Sequence, residues 1–199
     1  MLKRAFDIFF SAGALLVLAP MLLVVASWVK MDSAGPVFFR QRRVGRGGRE
    51  FLIYKFRTMA TDAESRGLQI TIGADARVTR CGATLRKYKI DEFPQFINVL
   101  IGDMSVVGPR PEVPRYVALY PERLRLLVLS VRPGITDIAS IEYRDENDLL
   151  GRSADPEFTY VNEIMPAKLT YCERYVRERS FAGDLGIIRR SFLASFARH

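Results

Sequence analysis

Histidine is nearly missing from this 199-residue chain: there is one, and it is the last residue, His199. Chain ends seldom hold placed chemistry. A Ser-His triad, a Cys-His pair, a histidine metal cluster and a phosphohistidine intermediate all need an imidazole fixed in a pocket, and all are therefore excluded. Cysteine is almost as scarce. Cys81 and Cys172 are too few for a disulfide framework or a zinc site, and fit free thiols in a reducing compartment. No repeat or low-complexity tract interrupts the chain. Catalysis must rest on carboxylates, lysines, arginines or a metal ion.

Charge is also absent from Ile8 to Val29, 22 consecutive and mostly apolar positions. At 1.5 Å per residue an unbroken helix of this length covers roughly 33 Å, about one hydrocarbon core. Pro20 sits near its centre, preceded by Ala19. Proline removes a backbone donor and clashes with the preceding turn. The segment is therefore expected to break at Ala19-Pro20 into two legs, Ile8–Ala19 and Pro20–Val29, neither long enough to span. Both flanks are basic: Lys3 and Arg4 precede, and Lys30, Arg40, Arg42, Arg43, Arg46 and Arg49 follow. A crossing helix carries its Lys/Arg excess on one side only, so a re-entrant helix that enters and leaves by one face fits better than a kinked single span. A cleaved signal peptide fits least, although Val24-Val25-Ala26 resembles a weak cleavage site.

The remaining chain is of ordinary domain size, with a core that it can bury alone. The expected division is 1–31, a re-entrant membrane helix, and 32–199, a catalytic domain with interfacial helices on the cytoplasmic face of a bacterial inner membrane. The net charge of +8 attracts nucleic acid, anionic lipid or phosphorylated substrates alike. No RNP-type aromatic pattern, zinc-finger spacing or basic heptad region supports nucleic acid.

The expected fold class is α+β: a helix-rich, membrane-associated domain with a small β-hairpin behind the Pro-broken re-entrant helix. The hairpin pairs Val37–Arg43 with Phe51–Arg57 around Gly45-Arg-Gly-Gly48, a more economical reading than a phosphate loop, since no helix follows the glycines. A short polar helix is expected around Ala60–Arg66. Phe93, Phe96, Ile97, Leu100 and Ile101 then follow helical spacing and predict a buried apolar face. Further helices are expected at Val113–Tyr120, Pro121–Val131, Pro156–Ile164, Ala167–Arg179 and Asp184–Phe196, punctuated by signals such as Arg132-Pro-Gly134. The last carries Leu185, Ile188, Phe192 and Phe196 as a stripe, with Arg189, Arg190 and Arg198 around it. Core packing and an interfacial position explain that stripe equally well.

Two clusters carry chemistry. In Leu85-Arg-Lys-Tyr-Lys-Ile-Asp91-Glu92-Phe-Pro94, adjacent carboxylates follow Arg86, Lys87 and Lys89 at the start of the apolar helix. They suit either a capping Asp with a dipole-complementing Glu, or a site where free N–H groups and cations receive a phosphoryl group. In Gly102-Asp-Met-Ser-Val-Val-Gly-Pro-Arg-Pro-Glu112, prolines on both sides of Arg110 present its guanidinium in a fixed direction. A rigid connection or a proline-rich ligand segment would read the same way.

Taken in order, these residues resemble the bacterial sugar transferases, specifically the monotopic phosphoglycosyl transferases in their minimal form. The motifs are the basic start and Pro-containing apolar segment, Lys55-Phe-Arg-Thr-Met59, Leu85-Arg86 through Asp91-Glu92-Phe-Pro-Gln95, Asn98-Val-Leu, Gly102-Asp-Met-Ser105, Val107-Gly-Pro-Arg-Pro111, Arg132-Pro-Gly-Ile-Thr136 and Ile164-Met-Pro-Ala-Lys168. The resemblance implies transfer of a sugar 1-phosphate from a UDP-sugar to polyprenol phosphate, with release of UMP, as the first membrane step of glycoconjugate or exopolysaccharide assembly. It implies Asp91 as nucleophile and metal ligand, Glu92 acting on the acceptor, and Arg86, Arg110, Lys55 and Arg57 around the phosphates. Mg²⁺ and the arginines would offset repulsion among these anions, and a covalent aspartyl-phosphosugar would make the kinetics ping-pong. Ala19 departs from the Ser that many members carry before the proline. A non-catalytic scaffold or a basic nucleic-acid-binding protein are the alternatives. The residues leave the sugar, the polar stretch Ile141–Asn147 as its contact, the oligomeric state and further Mg²⁺ ligands open.

Overall fold

The computed structural model describes residues 2–63 and 75–196. His199, Arg198 and the 64–66 end of the expected Ala60–Arg66 helix lie outside them; Thr61–Ala63 form a turn. A first helix, α1 (Leu2–Asp32), leads into an antiparallel hairpin of β1 (Phe38–Val44) and β2 (Glu50–Phe56). Its register runs from Phe38 opposite Phe56 to Val44 opposite Glu50, and its tip is a short 3₁₀ turn at Arg46–Gly48 with Gly47 in the left-handed region. Through the middle of the hairpin the odd-numbered positions point inward, so Phe51 and Ile53 enter the core and Lys55 follows them, while the strand-end residues Val44 and Phe56 are buried as well.

Next come α2 (Arg80–Lys87), a 3₁₀ turn at Ile90–Glu92, and α3 (Gln95–Ile101). The structure then adds a second sheet beside the expected hairpin: β3 (Ser105–Val107) pairs in parallel with β4 (Gly134–Thr136). Three-residue strands leave no alternation to detect. Between them lie α4 (Pro114–Val117) and α5 (Glu122–Val128), and after them α6 (Ile138–Glu142), α7 (Glu146–Gly151), α8 (Pro156–Thr159), α9 (Met165–Glu178) and α10 (Phe181–Phe196). A π-helical turn, Tyr160–Ile164, joins α8 to α9. The five helices expected beyond residue 112 are present with shifted ends, and α2, α6 and α7 are additions.

Two expectations are corrected. The first is the break at Ala19-Pro20: α1 is one helix through Pro20, not two legs. Only the carbonyl one turn earlier loses its partner there, and the flanking hydrogen bonds carry the helix past it. Burial nevertheless marks the middle as different. Asp7 and Ser11 are buried near the start, Val25 and Val29 near the end, and none of residues 12–24 is buried. Lys3 donates to Asp184 (2.6 Å) and Arg4 to the Val99 carbonyl (2.6 Å), while Asp7 accepts from the Ser105 hydroxyl (2.9 Å) and the Val106 amide (3.0 Å). At the other end Val25 and Val29 share a core with Phe56, Cys81 and Leu85. The proposed boundary at residue 31 thus runs beside a shared core.

The second correction concerns α3. The face expected to be buried is the outer one: Ile101 is exposed and Phe93, Phe96, Ile97 and Leu100 are partly exposed, Phe96 meeting Phe10 of α1 at 6.0 Å between rings. The buried residues are Gln95, Asn98 and Val99. Asn98 is wholly enclosed and donates to the Leu52 carbonyl (2.8 Å) while accepting from the Tyr54 amide (2.9 Å), stitching the helix to β2 like an extra strand residue. Of the last stripe, Leu185 and Phe192 are exposed and Ile188 only partly buried; α10 rests instead on Asp184 and Ile187.

Replacing Asn98 with Ala should strand two buried backbone groups of β2, each worth about 1–3 kcal/mol. Denaturant titration in detergent should register a loss of about 2–4 kcal/mol, and an unchanged midpoint would remove Asn98 from its stitching role.

Candidate active site

The site is assembled by three local features. Lys89 takes a left-handed conformation (φ 58°) between α2 and the 3₁₀ turn, ending one helix and turning the chain so that Asp91 and Glu92 enter the interior together. Neither caps α3, whose preceding residue is Pro94; the capping reading is thereby replaced. The hairpin's inward alternation delivers Lys55. The segment after β3 delivers Arg110, whose amide donates to Asp137 (3.1 Å), itself the cap of α6. Behind that segment the two motifs Gly108-Pro-Arg-Pro and Arg132-Pro-Gly134 touch, with the Gly134 amide bonded to the Pro109 carbonyl (3.0 Å). A Cβ on Gly134 would fall 2.1 Å from the Gly108 nitrogen, so only glycine fits.

Glu92 is clamped. Lys55 donates to its Oε1 (2.9 Å), and Arg110 holds both carboxylate oxygens with its two terminal nitrogens, at 3.1 Å to Oε2 and through a shorter contact to Oε1. Burial alone would push this carboxyl up, but Arg110, then Lys55, then the Arg110 hydrogen bond overcome it and hold Glu92 well below the usual carboxylate range. Asp91 lies in the opposite condition. It is 6% exposed, its Oδ1 has no hydrogen-bond partner, and burial followed by the Glu92 charge pushes its carboxyl upward. Arg86, half-buried at the end of α2, loses basicity to burial and regains part of it from Asp91 first, then Asp75 and Glu92.

Of the residues singled out by sequence, Asp91, Glu92, Lys55 and Arg110 meet, and Arg86 lies within their field. Arg57 does not join them. One residue past the end of β2, Arg57 is 4% exposed and its guanidinium is spent on the carbonyls of Val29 (3.2 Å), Ser33 (2.7 Å) and Ala34, bracing the end of α1. Three residues near Arg110 escaped the sequence reading. Arg43 donates to the Pro111 carbonyl (3.0 Å) and faces Glu112 at 3.6 Å, and Tyr160 donates to Glu112 (2.7 Å). Asp137 holds the Arg110 amide. Inward alternation along β1 was the available signal for Arg43; Tyr160 carried none.

A buried anion clamped by two cations beside an unsatisfied carboxylate, at the foot of a proline-bounded arginine, is an anion-handling site. Comparison with known proteins agrees, since the profile of one family matches residues 1–198. The chain belongs to the bacterial sugar transferase family. Among curated relatives of this family chain, the UDP-N-acetylgalactosamine-undecaprenyl-phosphate N-acetylgalactosaminephosphotransferase of Aeromonas hydrophila is 41% identical over 80% of this chain and 37% of its own length. The UDP-glucose:undecaprenyl-phosphate glucose-1-phosphate transferase of Escherichia coli K12 is 38% identical over 94% of this chain and 39% of its own. The exopolysaccharide production protein PSS of Rhizobium leguminosarum bv. phaseoli is 48% identical over 70% of this chain and 73% of its own. The chain therefore spans well under half of the first two relatives and about three quarters of the third.

The two acids should respond oppositely to neutralisation. Because Asp91 has a folded-state pKa above its unfolded one, its ionisation erodes stability as pH climbs above the unfolded value and through the folded one. Asp91→Asn should thus raise the melting temperature at pH 7.5. Glu92→Gln should lower it, through a stability loss of roughly 3 kcal/mol, because it strands Lys55 and Arg110 in a buried setting. Thermal unfolding of both variants in one detergent checks this; a shift of the same sign in both would sink the electrostatic assignment.

Proposed function

We propose that this chain is a phosphoglycosyl transferase that moves a sugar 1-phosphate from a UDP-sugar to polyprenol phosphate and releases UMP, in glycan or exopolysaccharide assembly. The observation that carries the reading is the contrast within one dyad: Glu92 is fully neutralised by Lys55 and Arg110, while Asp91 keeps an oxygen without a partner. A structural ion pair needs the first and has no use for the second. The printed names of the Aeromonas and E. coli relatives, both undecaprenyl-phosphate sugar-phosphate transferases, support the substrate classes.

In the first step an Asp91 oxygen attacks the phosphorus that bears the sugar, and the bond to the bridging oxygen breaks, so UMP leaves with that electron pair. Raised basicity makes Asp91 the better nucleophile of the two acids. In the second step a phosphate oxygen of the polyprenol phosphate attacks the same phosphorus and Asp91 departs as carboxylate. Arg110 is a fork suited to phosphoryl oxygens and Arg86 a second guanidinium near Asp91, and together they offset charge on the transferring group. For Glu92 to act on the acceptor, substrate phosphates must first draw Lys55 and Arg110 away from it; until then it serves as their counter-ion.

Mg²⁺ fits the donors present. Among the described residues no three His, Cys, Asp or Glu side chains converge, and Asp91 is the carboxylate in the site with a spare oxygen. One carboxylate plus substrate phosphates is an ordinary way to hold this ion. Asp91 would hold it, and the ion would neutralise diphosphate charge.

We further propose that α1 bends at Pro20 while staying helical, and so dips into the cytoplasmic face of the bacterial membrane and returns without crossing it. Its apolar window has a mean hydropathy of 2.6, and both of its ends dock on one body while none of residues 12–24 is fully buried. A helix crossing the bilayer could not keep Asp7 on Ser105 and Val29 on Phe56 at once.

Intact-mass analysis after incubation with labelled UDP-sugar tests the chemistry. Wild type should carry an adduct on Asp91, Asp91→Asn should lose the adduct and all lipid product, and Glu92→Gln should turn over slowly while still releasing some UMP. Full activity in Asp91→Asn, or an adduct elsewhere, would refute the mechanism. For topology, a cysteine introduced at position 2 should resist an impermeant reagent applied to intact cells; labelling from outside, with the rest of the chain protected, would make α1 a span.

A further inference from the structure

α3 is built the wrong way round for a helix in water. Gln95, Asn98 and Val99 face the protein, while Phe93 in the turn before it and Phe96, Ile97, Leu100 and Ile101 along it face outward, Ile101 being 61% exposed. No charged residue occurs from Phe93 to Ile101. This outer stripe starts at the dyad, since Phe93 directly follows Glu92, and α3 carries it away for about 10 Å, the length of a seven-residue helix. Aromatic rings extend it onto α1. Phe93 and Phe96 lie 6.4 Å apart, Phe96 and Phe10 6.0 Å, and Phe10 and Phe6 5.4 Å, centre to centre. Past Phe10 the same side of α1 carries Gly13, where an added Cβ would meet nothing within 4 Å, and the exposed Val17. An apolar track therefore leads from the two carboxylates to the middle of α1.

We propose that this track holds the first isoprene units of the polyprenol phosphate, with Phe93, Phe96 and Phe10 as their main contacts. The inference rests on the phosphoglycosyl transferase reading and assigns a place to the acceptor's tail. That acceptor is the one substrate that joins an anion to a long hydrocarbon. Its phosphate must come to the phosphorus held beside Asp91 and Arg110, so the carbons next to that phosphate lie immediately outside the dyad, and water is a poor solvent for them. Phe93 is the first apolar side chain they reach. The nucleotide sugar, charged and hydroxylated throughout, has no use for such a surface. Ordinary phospholipid covering the far end of the stripe at Ile101 would have to lay acyl chains against the ion-paired Glu92 at the near end, whereas the acceptor brings its own phosphate to that point.

Separating the two substrates tests this. UMP release in detergent micelles would be measured for wild type, Phe96→Ser, Phe10→Ser and, as a control on exposed apolar surface elsewhere, Leu126→Ser of α5, with the UDP-hexoses and UDP-N-acetylhexosamines as donors and undecaprenyl phosphate as acceptor. Phe96→Ser and Phe10→Ser should each raise the acceptor KM about ten-fold, the scale of one aromatic side chain withdrawn from an apolar contact, with the donor KM close to that of wild type; Leu126→Ser should change neither. An unchanged acceptor KM, or an equal rise in both constants, overturns the tail site and leaves the transferase reading standing. Photolabelling of wild type decides the matter if the variants fail to fold. A polyprenyl phosphate with a diazirine in its first isoprene units should label α3 or the Phe10 turn of α1, and excess undecaprenyl phosphate, but not phospholipid, should suppress the label. Labelling confined to other segments, or suppressed equally by phospholipid, overturns the proposal. No UMP release by wild type from any of the donors overturns both readings.

Discussion

A carboxylate removed from water must be matched by positive charge held at hydrogen-bond distance, and Glu92 is where this molecule meets that requirement. Its two oxygens accept from Lys55 and Arg110, residues 37 and 18 positions away in sequence. Each cation arrives by a different route. The hairpin's inward face carries Lys55; the two touching Gly/Pro motifs fix the backbone from which Arg110 extends; the left-handed Lys89 admits the acid itself. Removal of any one route leaves buried charge unmatched. The clamp therefore ties the sheet pair, the hairpin and α3 into one arrangement, and the neighbouring Asp91 inherits a position that its own contacts do not explain.

That inheritance accounts for the split in character between two adjacent acids. Glu92 consumes the nearest cations, so Asp91 receives burial and a like charge with little direct compensation. Such a carboxylate is costly to keep ionised, and an approaching cation or phosphoryl centre lowers that cost. The strain of the site is thus stored as missing hydrogen bonds beside the left-handed backbone of Lys89.

How much of this was readable beforehand differs between elements for physical reasons. Turn chemistry at Gly45–Gly48 and alternation on either side made the hairpin plain, and Gly/Pro punctuation placed the later helices within a few residues. Periodicity also located α3, but apolar spacing reports which face avoids water, not which face meets protein. Phe96 and Ile101 lie on the outer side, while Gln95 and Asn98 occupy the interior because a strand's backbone needed partners. The dyad and Arg110 were legible from unusual local chemistry. Arg57 was misleading since its motif neighbour Lys55 shares its charge, yet the strand ends between them and the two side chains serve different ends of the molecule. Tyr160 and Asp137 could not be seen, because their partners become neighbours only after the chain has folded.

The shared core of α1 has a consequence for how the chain can be handled. Val25 and Val29 fill the space between Phe56, Cys81 and Leu85, and Asp7 satisfies the hydroxyl and amide of β3. Cutting the chain after residue 31 would open an apolar trough under α2 and leave β3 with orphaned donors, two residues from the segment that presents Arg110. The helix is masonry for the rest of the molecule, which should be purified, labelled and crystallised with it in place.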